Sequence, residues 1–138
     1  MLSDKQLLLK KYYQFCPHCQ RQYQAIEPFK NYWDLPGGFV EVGESSIEAC
    51  QRELKEEADI KIKVTNYVGS YPDCYQDYPT LVMGFVAKIE QGKIKAADDV
   101  SEFKWFPLDN LPKNIAFASI NQIIKDYLSH SNLAKSEL

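Results

Sequence analysis

The sequence predicts an α/β fold of the α+β kind, a mixed β-sheet packed between helices, and three observations carry that expectation. Ser46 to Ala58 runs without Gly or Pro, the mark of a helix of three to four turns. Ile60, Ile62 and Val64 alternate with polar residues, and Leu81 to Ile89 is almost wholly apolar, so strands follow that helix. Ile120, Ile123, Ile124, Tyr127 and Leu128 then fall on one face of a closing helix.

Each element has local support. Leu2 to Tyr13 is apolar at Leu7, Leu8, Leu9, Tyr12 and Tyr13 with lysines between, which suits either a short amphipathic helix or a strand. Phe15 to Cys19 reads FCPHC, a tight knuckle, and Trp33 to Gly38 ends in Pro-Gly-Gly, which predicts a sharp turn. Ser45 followed by Glu48 is a capping-box pattern that starts the first helix. Ser70 to Pro79, rich in Tyr, Pro and Asp, is expected to be a loop, and Leu81 to Ile89 a central strand buried on both faces. Glu90-Gln91-Gly92 ends that strand, Phe103, Trp105 and Phe106 mark another that Pro107 terminates, and Ser119 is expected to cap the last helix. Trp105 and Phe106 are expected in the core, and the tail after His130 is expected to fray.

A chain of 138 residues with 45% hydrophobic content is enough for one compact domain with its own core. Its net charge of −3 argues against wrapping a nucleic-acid backbone, which calls for clustered Lys and Arg. No apolar run approaches the roughly 20 residues that span a bilayer, and Met1 to Tyr13 lacks a signal-peptide pattern, so the expected address is the cytoplasm. The four cysteines then read as thiols or metal ligands rather than disulfides. A homodimer is compatible with these features.

The chemistry lies in the first helix. With Glu53 at zero on a helical wheel, Glu56 and Glu57 fall at about −60° and +40°, so the three carboxylates share an arc of roughly 100°. Ile47, Cys50, Leu54 and Ala58 form a separate apolar stripe expected to face the sheet, while small Ala49 lies on the carboxylate arc. Three neighbouring like charges repel, and a divalent cation offsets that repulsion directly. Such an ion polarises phosphoryl oxygens and activates water, which is hydrolytic chemistry.

Gly38, Glu44, Arg52, Glu53, Leu54, Glu56, Glu57 and Ile60 stand at the fixed spacings of the Nudix box, and the segment from Gly38 to Ile60 resembles it. Asp59 departs from the pattern, standing where the family has glycine just beyond the helix; Asp tolerates the left-handed backbone expected there better than most residues. The resemblance implies a hydrolase dependent on Mg²⁺ or Mn²⁺ that cleaves a diphosphate bond. It implies Glu53, Glu56 and Glu57 as metal ligands, Glu44 as an outer ligand, Gly38 as a backbone-carbonyl contact, and Arg52 as the residue that orients the carboxylates. The general base in the family is sometimes a box glutamate and sometimes a residue on a distant loop. Glu102 is the outside candidate and is also expected near substrate.

The resemblance covers Ile26 to Leu128 and is weakest at the N-terminus, where a Nudix sheet normally has one or two strands before the box. Either Gln6 to Tyr13 supplies a strand and FCPHC is an insertion, or residues are absent between Cys19 and Ile26. The second is preferred, because FCPHC resembles the first half of the zinc ribbon preceding some Nudix domains. The expected division is therefore 1–25 as a ribbon remnant, with Cys16 and Cys19 able to take Zn²⁺ although two cysteines do not complete a tetrahedron, and 26–138 as the hydrolase domain. Tyr71, Tyr75 and Tyr78 are expected near the cleft, where an aromatic face could stack on a base or equally cover the sheet edge. The favoured substrate is a nucleoside diphosphate linked to another moiety, such as ADP-ribose or a related dinucleotide. The alternatives are a nucleoside triphosphate pyrophosphatase and a non-catalytic module that senses a nucleotide; zinc-ribbon recognition of nucleic acid is disfavoured by charge.

Overall fold

A computed structural model describes residues 6–12, 32–75, 78–97 and 100–136. The elements are β1 (Gln6–Tyr12), α1 (Ser46–Ala58), β2 (Lys61–Tyr75), β3 (Tyr78–Gln91), β4 (Val100–Pro107) and α2 (Ala118–Ser136). β1 pairs antiparallel with β4, and β2 with β3. Lys10 bridges Asp34 in antiparallel fashion and Trp33 bridges Ile115 in parallel, so the α+β expectation holds.

Strand β1 organises the core, since Leu7, Leu8, Leu9 and Lys10 are all wholly buried. Successive residues of a strand face opposite sides of the sheet. Leu7 and Leu9 accordingly join Trp33, Tyr71 and the α2 residues Ile120, Ile123 and Ile124, whereas Leu8 joins Leu54 and Ala58 of α1 with Ile60, Ile62 and Ala87. The two helices therefore cover opposite faces. Gly84 lets α2 come close to β3, because a Cβ there would stand 2.9 Å from Ile123 Cγ2. The open choice for the N-terminal segment resolves to a strand over Gln6–Tyr12. The FCPHC knuckle with Cys16 and Cys19, and the 25/26 boundary, lie outside the described residues.

Helix α1 spans the predicted residues, and its capping box is formed in full: Glu48 N–H donates to the Ser45 hydroxyl, and Ser45 N–H to the Glu48 carboxylate. Asp59 adopts the left-handed conformation at φ 54° and ψ 39°, with its carboxylate 2.6 Å from Lys55 Nζ. Trp105 and Phe106 pack against the two core clusters, as expected.

Several expectations are corrected. Ser70 to Pro79 is not a loop, because β2 continues to Tyr75 and β3 begins at Tyr78. Pro72 lies opposite Leu81 and Pro79 opposite Cys74, the same alternate set of pairs. Cys74 N–H turns to the Asp73 carboxylate, so the ladder loses little to the prolines. Leu81 to Ile89 is not buried on both faces along its length: Val82 and Val86 pack on the α2 side and Ala87 on the α1 side, but Leu81 is 68% exposed and Met83 and Ile89 are open to solvent. Trp33 and Asp34 make isolated bridges, and the chain bends at Pro36, ahead of the two glycines. Ile47 is exposed while Ala49 is buried, so α1 is turned further towards its carboxylate arc than the apolar stripe suggests. Ser119 lies inside α2, whose backbone runs on past His130 to Ser136. Its cap comes from β2: an Asp73 oxygen accepts Ser119 N–H at 3.1 Å. Hydrogen bonds from Ser119 and the Cys74 amide outweigh burial and hold Asp73 below its ordinary pKa.

Candidate functional site

The site forms where the loop after Pro36 passes over the inner face of α1. Glu57 points into the protein, and Lys10 reaches it from β1 at 2.5 Å, both side chains being almost completely buried. The same ammonium donates to Gly37 O at 3.0 Å, while Gly37 N–H donates to the second Glu57 oxygen at 3.1 Å. Both carboxylate oxygens are thus held, one by a charge and one by the backbone. Burial pushes the Glu57 carboxyl up to about 7, with Lys10 and the Gly37 amide opposing it.

Glu53, one turn earlier, is half-buried beside the next glycine. A side chain at Gly38 would run directly into the Glu53 carboxylate, so only glycine allows the backbone this close. Burial pushes Glu53 up as well, while Arg52 favours its charged form and Glu56 adds repulsion. The Gly37-Gly38 pair therefore brings two of the three predicted carboxylates under one stretch of backbone.

Arg52 forms a hub on the solvent side. Its guanidinium donates to Glu44 at 2.7 Å, Glu53 at 2.9 Å, Glu56 at 3.3 Å and Phe39 O at 3.0 Å. A planar fork with several donors suits such a role better than an ammonium would. Arg52 also holds Glu44 below its ordinary pKa, and Glu44 itself accepts from the Glu41 amide at 2.8 Å. Glu56 turns towards Arg52 and solvent, away from Glu57. Among the described residues, no three His, Cys, Asp or Glu side chains gather into a ready-made metal cage. The cradle is nonetheless built of hard oxygen donors, the kind Mg²⁺ and Mn²⁺ take, and the backbone at Gly38 comes close to the Glu53 carboxylate.

The profile of the NUDIX domain matches residues 8–127, nearly the whole chain. The chain belongs to the Nudix family. It is 43% identical over 107 residues to the ADP-ribose pyrophosphatase of Methanocaldococcus jannaschii, covering 76% of this chain and 62% of that protein. It is 37% identical over 94 residues to the NAD-capped RNA hydrolase NudC of Pseudomonas syringae pv. syringae, covering 67% of this chain and 33% of that protein. The chain thus spans less than two thirds of the length of these curated relatives. The crystal structure of a NUDIX hydrolase from Nitrosomonas europaea superposes with a TM-score of 0.70 at 25% identity, covering 94% of this chain and 65% of that one.

Outside the Nudix box the expected site residues separate. Tyr71 is buried on the α2 face, where its hydroxyl donates to Asp126 at 2.5 Å; burial, reinforced by Asp126, pushes the phenol up to about 12. It is a core residue on the opposite side of the sheet from Glu57. Tyr78 is 73% exposed at the end of the β2–β3 ribbon, paired with Tyr75, whose side chain lies outside the described set. Glu102 is exposed and pairs with Lys11, one residue out of step with Lys10, so it stands on the other face of the sheet. Lys10 is the residue that sequence reasoning passed over. Its signal was present, since in Leu7-Leu8-Leu9-Lys10 the lysine shares the parity of inward-facing Leu8. No helix among the described residues is long and apolar enough to cross a membrane.

Proposed function

We propose that this Nudix chain hydrolyses the diphosphate linkage of a nucleoside diphosphate joined to another moiety, with ADP-ribose or a related dinucleotide as the favoured substrate. The observation that carries the reading is the convergence of Glu53 and Glu57 under Gly37 and Gly38. Glu53, Glu56, Glu57 and the Gly38 carbonyl would hold the divalent ions, with Glu44 outside them. Bound there, Mg²⁺ or Mn²⁺ supplies charge neutralisation at the phosphate oxygens and activation of water. Arg52 keeps the carboxylates aligned by gripping Glu44, Glu53 and Glu56 together. With Glu102 on the other face of the sheet, the proton acceptor is assigned to the box. Glu53 is the candidate within it, half-buried beside Gly38 and not tied to Lys10 as Glu57 is. Tyr78 remains the described tyrosine free to meet a base at the ribbon end.

The relative named ADP-ribose pyrophosphatase supports the favoured substrate. The NudC relatives favour a second reading, in which the nucleotide is the cap of an RNA. A panel of ADP-ribose, NAD, NAD-capped RNA and nucleoside triphosphates, assayed with Mg²⁺ and Mn²⁺ and with products identified, separates these. ADP-ribose is expected to yield AMP and ribose 5-phosphate. Cleavage of capped RNA alone would select the second reading, and cleavage of triphosphates alone would reject both. Binding without turnover of any of them would make the chain a nucleotide sensor.

A further inference from the structure

The Glu57 carboxylate already has a cation. Lys10 Nζ lies 2.5 Å from one of its oxygens and 3.0 Å from the Gly37 carbonyl, with both side chains almost completely buried. The Gly37 amide holds the other oxygen. An ammonium so placed does what a metal ion would do there: it neutralises a buried carboxylate and binds backbone oxygen of the Gly37-Gly38 loop. Unlike the Arg52 hub, which faces water, this contact is shielded from screening and acts at nearly full strength.

We infer that Lys10 is the resident cation of the glutamate site, a positioning residue against which a divalent ion must compete for Glu57. The inference rests on Glu57 being a metal ligand, as proposed above. It follows from charge: an ion reaching Glu57 comes within a few ångströms of a buried ammonium, and the repulsion lowers its affinity. The same ammonium keeps the carboxylate and the glycine loop in place when no ion is bound. Lys10 would thus weaken metal binding while stabilising the metal-free protein, two effects that a purely structural lysine would not combine.

The test uses the full chain at pH 8, with Mn²⁺ as the probe read by electron paramagnetic resonance and metal-free melting read by circular dichroism. Lys10→Met is expected to melt earlier than the parent without metal and to bind Mn²⁺ at least about tenfold more tightly, because one unit of opposing charge is gone. Its melting temperature then rises with Mn²⁺ by more than the parent's does. Lys10→Arg, which retains the charge, is expected to keep the parental affinity, and Lys10→Gln provides a second neutral variant should Lys10→Met not fold. Glu57→Gln is measured alongside. If Glu57→Gln weakens Mn²⁺ binding but the neutral Lys10 variants bind no more tightly than the parent, the Lys10 inference is overturned and the metal assignment stands. If Glu57→Gln leaves Mn²⁺ affinity unchanged, Glu57 is not a ligand and the reading beneath fails with it.

Discussion

The two helices pack on opposite faces of the same strands and bury different things. Helix α2 presents Ile120, Ile123 and Ile124 to Leu7, Leu9 and Tyr71, an apolar contact with its start capped by Asp73. Helix α1 buries small Ala49 and Ala58, one large residue in Leu54, and a glutamate. Burying a charge is costly unless it is paired and hydrogen-bonded, and a buried pair is often no more stabilising than apolar residues of the same size. The two helices thus differ in what they hold: α2 holds the sheet together, and α1 holds the carboxylates.

The sharpest way to break that contrast is to make α1 resemble α2. In the double variant Lys10→Met with Glu57→Leu, turnover is expected to fall about 100-fold or more, since the site would lose a proposed metal ligand, and bound metal supplies several kcal/mol of transition-state charge stabilisation. Urea unfolding of the same variant is expected to show stability equal to the parent or higher, by up to about 4 kcal/mol. Marked loss of stability would mean the buried pair contributes to the fold in its own right.

The reverse test is made on α2. Ile123→Ala removes a buried side chain packed over Gly84 and is expected to cost about 3 kcal/mol in urea unfolding, with turnover per folded molecule unchanged. A change in turnover larger than the change in folded fraction would show that the faces are coupled.

The smallest effect concerns the α2 cap. Asp73→Ala is expected to cost about 1 kcal/mol at neutral pH, as the loss of a helix cap usually does. The Asp73 pKa is lowered in the fold, so its contribution is present above the ordinary aspartate value of 3.8 and disappears as pH falls through the folded value. Unfolding curves of parent and variant should therefore converge in acid. A gap that persists at pH 2 would assign the effect to packing rather than to the carboxylate.

The parts of the molecule legible in the sequence are those governed by local rules. Ser45 and Glu48 announced the start of α1, and Asp59 its left-handed end, because caps depend on residues within one turn. The resemblance to the box implied that Arg52 orients the carboxylates, and its guanidinium reaches Glu44, Glu53 and Glu56. What went unread depended on distant partners. The wheel ordered the side chains of α1 but not its rotation against the sheet, which the Lys10–Glu57 contact helps set. Tyr71 looked like a loop aromatic until α2 supplied Asp126, and Pro72 and Pro79 suggested a loop that strand pairing overrode. Glu102 was the candidate base that the family resemblance suggested outside the box, and strand pairing sets it on the face opposite Lys10.

Lys10 also bears on the order of assembly. It joins residues separated by 47 positions at Glu57 and by 27 at Gly37, contacts that local structure cannot make in advance. A nascent or partly unfolded chain can form α1 and display its acidic face, yet it has no means of gathering Glu57 beneath the glycines until β1 has docked. The proposed competence for hydrolysis would therefore arrive late in folding, and fragments that lack the first strand are expected to be inert.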